Sequence, residues 1–430
     1  MRVCFTNLGC KLNLAEVERL SREFLAAGHQ VVRSLEEADL HVVNSCTVTH
    51  VAARDSRKAA GRGARVQPGL RPPLRTVLTG CWGTERPEEA ARIAGVDLVV
   101  PNAEKHLLLD RVHAAFPDAL PEASLPYMPL PLGHTRALVK IEDGCNMRCA
   151  FCIIPSTRGR QRSRSLQEVV AEVRELGEAG FQEVVVTGVQ ISAWRSSGDR
   201  LSDLVRALLR ETAVPRLRLT SIAPWDLDER LLSLWDDPAA DRLCRHLHLS
   251  LQSGSTATLR RMRRPYSAES YGRLLEQVRA RLPGVGITTD VIVGFPGESE
   301  AEFAESLAFV EAAGFARVHA FPFSAREGTE AAGLPDQIPP EVRKERMGRM
   351  LAAAERGEMA FRRSHLGSRA TVLWENPRGR SVDGLTSHGL TGNYLRVLSE
   401  AAATPGSFGE VEIVGLAADG VSAVPIRSRI

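Results

Sequence analysis

A chain of 430 residues is too long for one small binding module and leaves room for two to four domains at roughly 100 to 200 residues each. Its 43% hydrophobic and 25% charged residues match globular composition and exclude disorder along the whole chain. With 55 Lys and Arg against 52 Asp and Glu the net charge is +3, so bulk charge makes no case for nucleic-acid binding.

No stretch approaches the ~18 uncharged apolar residues of a membrane-spanning helix, and the opening residues lead into a strand rather than a signal peptide. A cytoplasmic protein is expected. The first part alternates short apolar runs with helical patterns: strands at 2–7, 40–44, 76–79 and 97–100, helices at 14–27, closed by Gly28, and at 88–93. That alternation implies a parallel sheet with helices on its faces. Pro117, Pro121, Pro126, Pro129 and Pro131 follow, a run that cannot continue a helix or central strand and so reads as a semi-rigid linker.

The second part repeats strand-then-helix six times. Strands are expected at 137–142, 183–187, 216–221, 246–251, 286–293 and 317–321, with helices at 166–179, 201–211, 227–235, 267–280 and 300–313 between them and a last helix at 340–362. Right-handed crossovers wind such units into an open sheet or a partial barrel, with chemistry at the carboxyl ends of the strands. Beyond residue 364 the helical period is lost. Short strands at 370–374, 394–397 and 410–414 suggest a small β-barrel of the kind that often carries oligonucleotide sites. The expected fold is therefore α/β and multidomain: a parallel-sheet domain over 1–116, the linker 117–133, a (β/α)6 unit over 134–363 and a small β-barrel over 364–430.

Charge is unevenly spread. Seven cations lie between Arg54 and Arg75 against the single anion Asp55, and 158–164 and 260–264 each hold four Arg and no acid. Such clusters can meet phosphates, because Arg pairs with them bidentately, although charge runs are usually solvated faces.

Cysteine carries the chemistry. In a reducing compartment the eight cysteines are poor candidates for structural disulfides, so those that cluster point to metal or redox chemistry. Cys145, Cys149 and Cys152 form CxxxCxxC directly after the first strand of the six-fold unit. Three thiolates on one loop suit three irons of a 4Fe–4S cubane and leave the fourth iron open, whereas structural zinc wants a fourth Cys or His and none lies nearby. Cys10, Cys46 and Cys81 each fall just beyond an expected strand, and in a parallel sheet such strand ends share one edge. Cys4, inside the first strand, and Cys244, just before the fourth strand of the six-fold unit, read as core filling.

CxxxCxxC at this place resembles the signature of radical S-adenosylmethionine (SAM) enzymes, whose fold is a (β/α)6 partial TIM barrel. The resemblance implies that Cys145, Cys149 and Cys152 ligate a cluster whose open iron chelates SAM, and that one-electron reduction releases a 5′-deoxyadenosyl radical. Phe151 would lean on the SAM adenine. Thr187, Gly188, Ser250, Gln252 and Val293, at successive strand ends, would help hold SAM.

Leu8-Gly9-Cys10-Lys11, Asn44-Ser45-Cys46-Thr47 and Thr79-Gly80-Cys81-Trp82 look like the amino-terminal domain of the methylthiotransferases, a radical-SAM branch with a second 4Fe–4S cluster, and the last domain is similar to the TRAM module. The implied reaction turns a C–H bond into C–S–CH3: one SAM methylates a sulfur held at the second cluster, the other supplies the radical. The implied partners are the tRNA anticodon loop and a one-electron reductant such as flavodoxin or ferredoxin. Branches act on threonylcarbamoyladenosine-37 or isopentenyladenosine-37 of tRNA, or on an aspartate of ribosomal protein S12. Ile153-Ile154-Pro155, Arg158-Gly159, Arg261-Met262-Arg263-Arg264-Pro265-Tyr266 and Ser324-Ala325-Arg326-Glu327-Gly328 look most like the first, and Thr187-Gly188-Val189-Gln190 departs from the Gly-Gln-Asn usual in the second. A threonylcarbamoyl carboxylate wants a cationic partner, for which Arg148, Arg158 and Arg326 are the candidates.

Overall fold

The structure, a computed structural model, describes residues 1–66, 74–117, 134–375 and 387–426. All of the expected linker except Pro117 lies outside the described residues, as does Arg71 of the first basic cluster. The chain folds into two compact units, and their borders do not follow the linear domain order. One unit takes residues 1–134, 143–162 and 324–332; the other takes 135–142, 163–323 and 333–430.

In the first unit, strands β1 (Arg2–Asn7), β2 (Gln30–Val32), β3 (Leu40–Ser45), β4 (Arg75–Gly80) and β5 (Leu98–Val100) form a parallel sheet in the order β2-β1-β3-β4-β5. Every residue of β3 is buried, as expected of a parallel strand covered on both faces. Leu20 and Phe24 of helix α1 (Lys11–Ala26) pack with Val3, Leu40 and Val42 of the sheet. Gly28 follows α1 at φ +88°, a left-handed position that favours glycine. The first strand is present as expected, and the other expected strands and α1 are present with shifted ends. Strand β2 and helix α2 (His50–Ala60) were not expected: β2 is a three-residue edge, and α2 fills its helically spaced buried positions, Ala53, Ser56, Ala59 and Ala60, with small residues rather than the large apolar ones that mark a core-facing helix. Thr49 caps α2 by accepting from the Ala52 N–H.

The second unit holds strands β6 (Ala137–Lys140), β7 (Glu183–Thr187), β8 (Arg216–Leu219), β9 (His246–His248), β10 (Gly286–Val293) and β11 (Arg317–Pro322). All pairings are parallel and neighbours follow chain order; between β8 and β9 contact is reduced to isolated bridges, Leu217 with Leu243 and Ile222 with Leu249. This is the six-stranded partial barrel. Alternate residues separate its faces. Val184, Val186, Leu217, Leu219, Leu247, Leu249 and Val291 join one large core cluster, while Glu183, Arg218, His248, Thr288 and Asp290 occupy the other side of the strands. The expected helix at 227–235 is broken: Asp228 caps a single turn, Glu229–Leu232, flanked by 3-10 turns at Pro224–Asp226, Ser233–Asp236 and Pro238–Arg242.

Strands β12 (Arg369–Trp374), β13 (Ser387–Thr391), β14 (Arg396–Ser399), β15 (Phe408–Ala417) and β16 (Gly420–Pro425) close into a five-stranded barrel. It docks on the amino-terminal ends of the large-barrel strands. Arg216 donates to the carbonyls of Leu390 and Thr371 at 3.0 Å each, and Arg218 to those of Thr391 at 3.0 Å and Gly392 at 3.2 Å. Tyr394 stacks on His246 with ring centroids 4.3 Å apart. Glu183, fully buried, accepts from Arg218 Nε at 2.7 Å; burial opposes its charge, but the guanidinium holds the carboxyl below its ordinary value. Cys4 and Cys244 are both buried, and burial pushes the Cys244 thiol up to about 12.

Candidate active site

The first cysteine trio lies along the carboxyl edge of the parallel sheet. Cys10 precedes α1, Cys46 follows β3, and Cys81 follows β4 as the first residue of the short helix α3 (Cys81–Glu85). Two glycines allow the segments to touch. At Gly9, φ +102°, a Cβ would sit 2.7 Å from Cys46 Cβ and 2.8 Å from its Sγ; at Gly80, φ +93°, a Cβ would sit 2.3 Å from the Ser45 carbonyl oxygen. Asn102 Nδ2 lies 3.7 Å from Cys81 Sγ, and Cys10 Sγ lies 3.7 Å from Asn13 Oδ1. The Ser56 hydroxyl accepts from the Cys46 N–H and donates to its carbonyl, both at 2.9 Å, fixing that loop. Burial pushes the Cys46 thiol up to about 11, so iron binding there would displace a proton.

The second trio sits on the loop after β6, in the same compact unit. Cys145 N–H donates to the Gly159 carbonyl at 3.1 Å, Cys152 N–H to Cys149 at 3.1 Å, and Ala331 N–H to Ala150 at 2.8 Å. Gly144, φ +75°, is required: a Cβ would meet the Arg160 carbonyl at 2.3 Å. Met147 N–H points at Cys145 Sγ at 3.4 Å, a contact that favours a ligating thiolate. All three cysteines and Phe151 are half-buried. Among the described residues no group of three His, Cys, Asp or Glu could hold a single metal ion. A cubane spreads three thiolates over three irons, so convergence on one point is not what it asks. The donor set, three soft thiols per trio, fits such clusters.

The candidate arginines separate. Arg148 is exposed. Arg158 is not available to a substrate: it is buried, and its guanidinium is taken up by Glu16 at 2.8 Å and Asp143 at 2.9 Å, carboxylates that supply the counter-charge a substrate would have offered. Arg326 donates to Thr47 Oγ1 at 2.7 Å and lies 3.4 Å from Glu85. It borders a cavity of about 370 Å³ with His50, Arg57, Trp82 and Arg86. The other basic clusters are partly committed as well: Arg164 pairs with Glu172, Arg261 with Glu302 at 2.5 Å, and Arg264 lies over Trp225 and Tyr266.

In the second unit the residues expected to meet SAM fall at the carboxyl ends of the barrel strands. Thr187 closes β7 and Val293 closes β10, both buried, and Ser250 and Gln252 follow β9. Gly188 has no room for a side chain, since a Cβ would meet Glu142 Oε1 at 2.3 Å. Gln252 has φ +67°, uncommon for a non-glycine residue, and is held by hydrogen bonds to Asp290 and Ile292 of 2.8 Å each. Below them runs a polar chain that the sequence reading did not single out. His246 Nε2 and His248 Nδ1 both meet the Thr288 hydroxyl, at 3.1 and 3.0 Å, and His248 Nε2 meets Asp290 at 3.2 Å. Its signal was the alternation His246-Leu247-His248-Leu249-Ser250, polar at every second position of a strand.

Residues 139–310 match the model of the Radical SAM superfamily, and residues 2–101 match that of the uncharacterized protein family UPF0004. The threonylcarbamoyladenosine tRNA methylthiotransferase MtaB of Bacillus subtilis is 33% identical over 92% of this chain and 90% of its own. The chain belongs to the radical SAM methylthiotransferases. The tRNA-2-methylthio-N(6)-dimethylallyladenosine synthase of Cereibacter sphaeroides, another methylthiotransferase, is 36% identical over 85% of this chain and 86% of its own. Enzymes of this family use SAM and 4Fe–4S clusters, and this methylthiotransferase is an enzyme of that kind. Among solved structures, the radical SAM methyltransferase TsrM of Kitasatospora setae superposes with a TM-score of 0.56 at 16% identity, covering 74% of this chain and 73% of that one. The cobalamin-dependent radical SAM enzyme OxsB superposes with 0.52 at 13% identity, covering 83% of this chain and 56% of that one. Both likenesses concern the fold alone.

Proposed function

We propose that this methylthiotransferase installs a methylthio group on carbon 2 of N6-threonylcarbamoyladenosine at position 37 of tRNA, in the cytoplasm. The observation that carries the reading is the pair of cysteine trios held in one compact unit. Cys145, Cys149 and Cys152 are assigned to the radical cluster and Cys10, Cys46 and Cys81 to the second; Phe151, Thr187, Gly188, Ser250, Gln252 and Val293 are assigned to SAM. When bound, the clusters and SAM supply the radical and the methylated sulfur, chemistry that an aromatic C–H needs because no ordinary base removes that hydrogen. The protein's own part is to hold the base, splayed from the anticodon loop, and keep water away. Arg326 is the remaining buried candidate for the threonylcarbamoyl carboxylate, with Arg148 as an exposed alternative.

The branch is supported by the segments around Arg158, Arg264 and Arg326 and by the departure at Val189. Action on isopentenyladenosine-37 is the second reading, favoured by the 36% identity to the dimethylallyladenosine synthase. Turnover on tRNA carrying threonylcarbamoyladenosine, isopentenyladenosine or plain adenosine decides between them, read by mass spectrometry of the nucleosides. The first substrate should be preferred, and equal turnover of the first two would end the carboxylate-pairing account.

A further inference from the structure

Arg158 is 3% exposed, yet both terminal nitrogens of its guanidinium are engaged. Nη1 donates to Glu16 Oε1 at 2.8 Å and Asp143 Oδ1 at 2.9 Å, and Nη2 to Asn13 Oδ1 at 2.6 Å and Glu16 Oε2 at 3.3 Å. Lys105 Nζ completes Glu16 at 2.6 Å and reaches Asn44 Oδ1 at 3.0 Å. Two cations thus balance two carboxylates.

The chain positions of these groups give the cluster its meaning. Asn13 and Glu16 follow Cys10 on one face of α1, and Asn44 lies just before Cys46. Asp143 lies just before Cys145, and Arg158 ends the short helix after Cys152. Asn102 adds a parallel tie, donating to the Thr157 carbonyl at 2.9 Å while lying 3.7 Å from Cys81 Sγ. Every segment that carries a cysteine of either trio is therefore fastened to this one polar cluster or to Asn102. A buried ion cluster holds no advantage in stability over well-packed apolar side chains, but a planar guanidinium fork accepts its partners in few arrangements.

We propose that the Arg158–Glu16 pair, braced by Lys105 and Asp143, sets the separation and orientation of the two cysteine trios, which makes Arg158 a positioning residue for sulfur transfer. The proposal rests on the assignment of the six cysteines to two clusters. Its consequence is kinetic, since a misplacement of about 1 Å can cost ~100-fold in a reaction between held groups.

The test compares anaerobically reconstituted full-length wild type with Arg158→Lys and Glu16→Gln, the second a neutral isostere that preserves shape. Both variants should keep their iron and cleave SAM within about twofold of wild type, while methylthiolated product per 5′-deoxyadenosine falls ~10-fold or more. The dipolar interaction between the two reduced clusters in the electron paramagnetic resonance spectrum should change as well. An unchanged product ratio with an unchanged spectrum would overturn the proposal. So would product and SAM cleavage falling together in proportion to lost iron, which marks a merely structural role. If Arg158→Lys does not fold, Glu16→Gln decides alone. Should wild type form no methylthiolated product, the functional reading fails, while the dipolar comparison, which needs no substrate, still decides the positioning role.

Discussion

Single cysteine substitutions should separate the two halves of the proposed reaction. Replacing Cys145, Cys149 and Cys152 with Ala should leave roughly half of about eight irons and abolish 5′-deoxyadenosine release, measured by iron analysis and chromatography. Cys46→Ala should do the opposite, losing the second cluster and the methylthiolated nucleoside while SAM cleavage persists. Full product from Cys46→Ala would remove the basis for a second cluster. The sequence singles out these six cysteines because cysteine is rare and its spacing is chemically specific; their role as cluster ligands is what these variants test. Arg158 was not legible, since Glu16 is 142 residues away in the chain and nothing local marks them as partners. Arg326 was legible only as a loop cation; the hydroxyl of Thr47 and the carboxylate of Glu85 that hold it belong to distant segments.

At the scale of elements, the join between the two barrels gives sharp expectations. Gly286 opens β10 where a Cβ would sit 1.9 Å from the Asn393 carbonyl. Gly286→Ala should therefore destabilise the protein by roughly 1–3 kcal/mol in chemical unfolding, because the docked turn must move. Gly348 lies inside the helix Pro340–Arg363 with nothing within 4 Å of a Cβ, so Gly348→Ala should stabilise by about 0.5–1 kcal/mol instead. The same join predicts a pH response. Glu183 is held below the ordinary carboxylate value, so its contribution is complete above the unfolded carboxyl's pKa and is lost as pH falls through the lower folded one. Glu183→Gln should flatten the acid limb of the stability profile. Leu201–Glu211, strongly amphipathic, and the long helix Glu300–Ala313 were readable from the sequence, whereas α2, buried through small residues, and the broken helix near Trp235 were not.

For the whole molecule, strand-helix alternation gave the parallel sheet and left an open sheet or a partial barrel for the central part, the family resemblance pointed to the partial barrel, and the loss of the helical period gave the small β-barrel. None of these could give the regrouping of 143–162 and 324–332 with the amino-terminal sheet, because that depends on contacts such as Arg158 with Glu16 and Arg326 with Thr47 rather than on local pattern. Among the described residues no helix is long and apolar enough to cross a membrane. The central claim is that one unit brings two cysteine trios together so that two SAM molecules serve different ends of a single reaction. The direct measurement is the stoichiometry of a limited turnover on tRNA bearing threonylcarbamoyladenosine. Each methylthiolated nucleoside should be accompanied by one S-adenosylhomocysteine from methyl transfer and one 5′-deoxyadenosine from the radical. Methylthiolated product formed without 5′-deoxyadenosine, or 5′-deoxyadenosine released by wild type with no methylthiolated product on any tRNA, would contradict it.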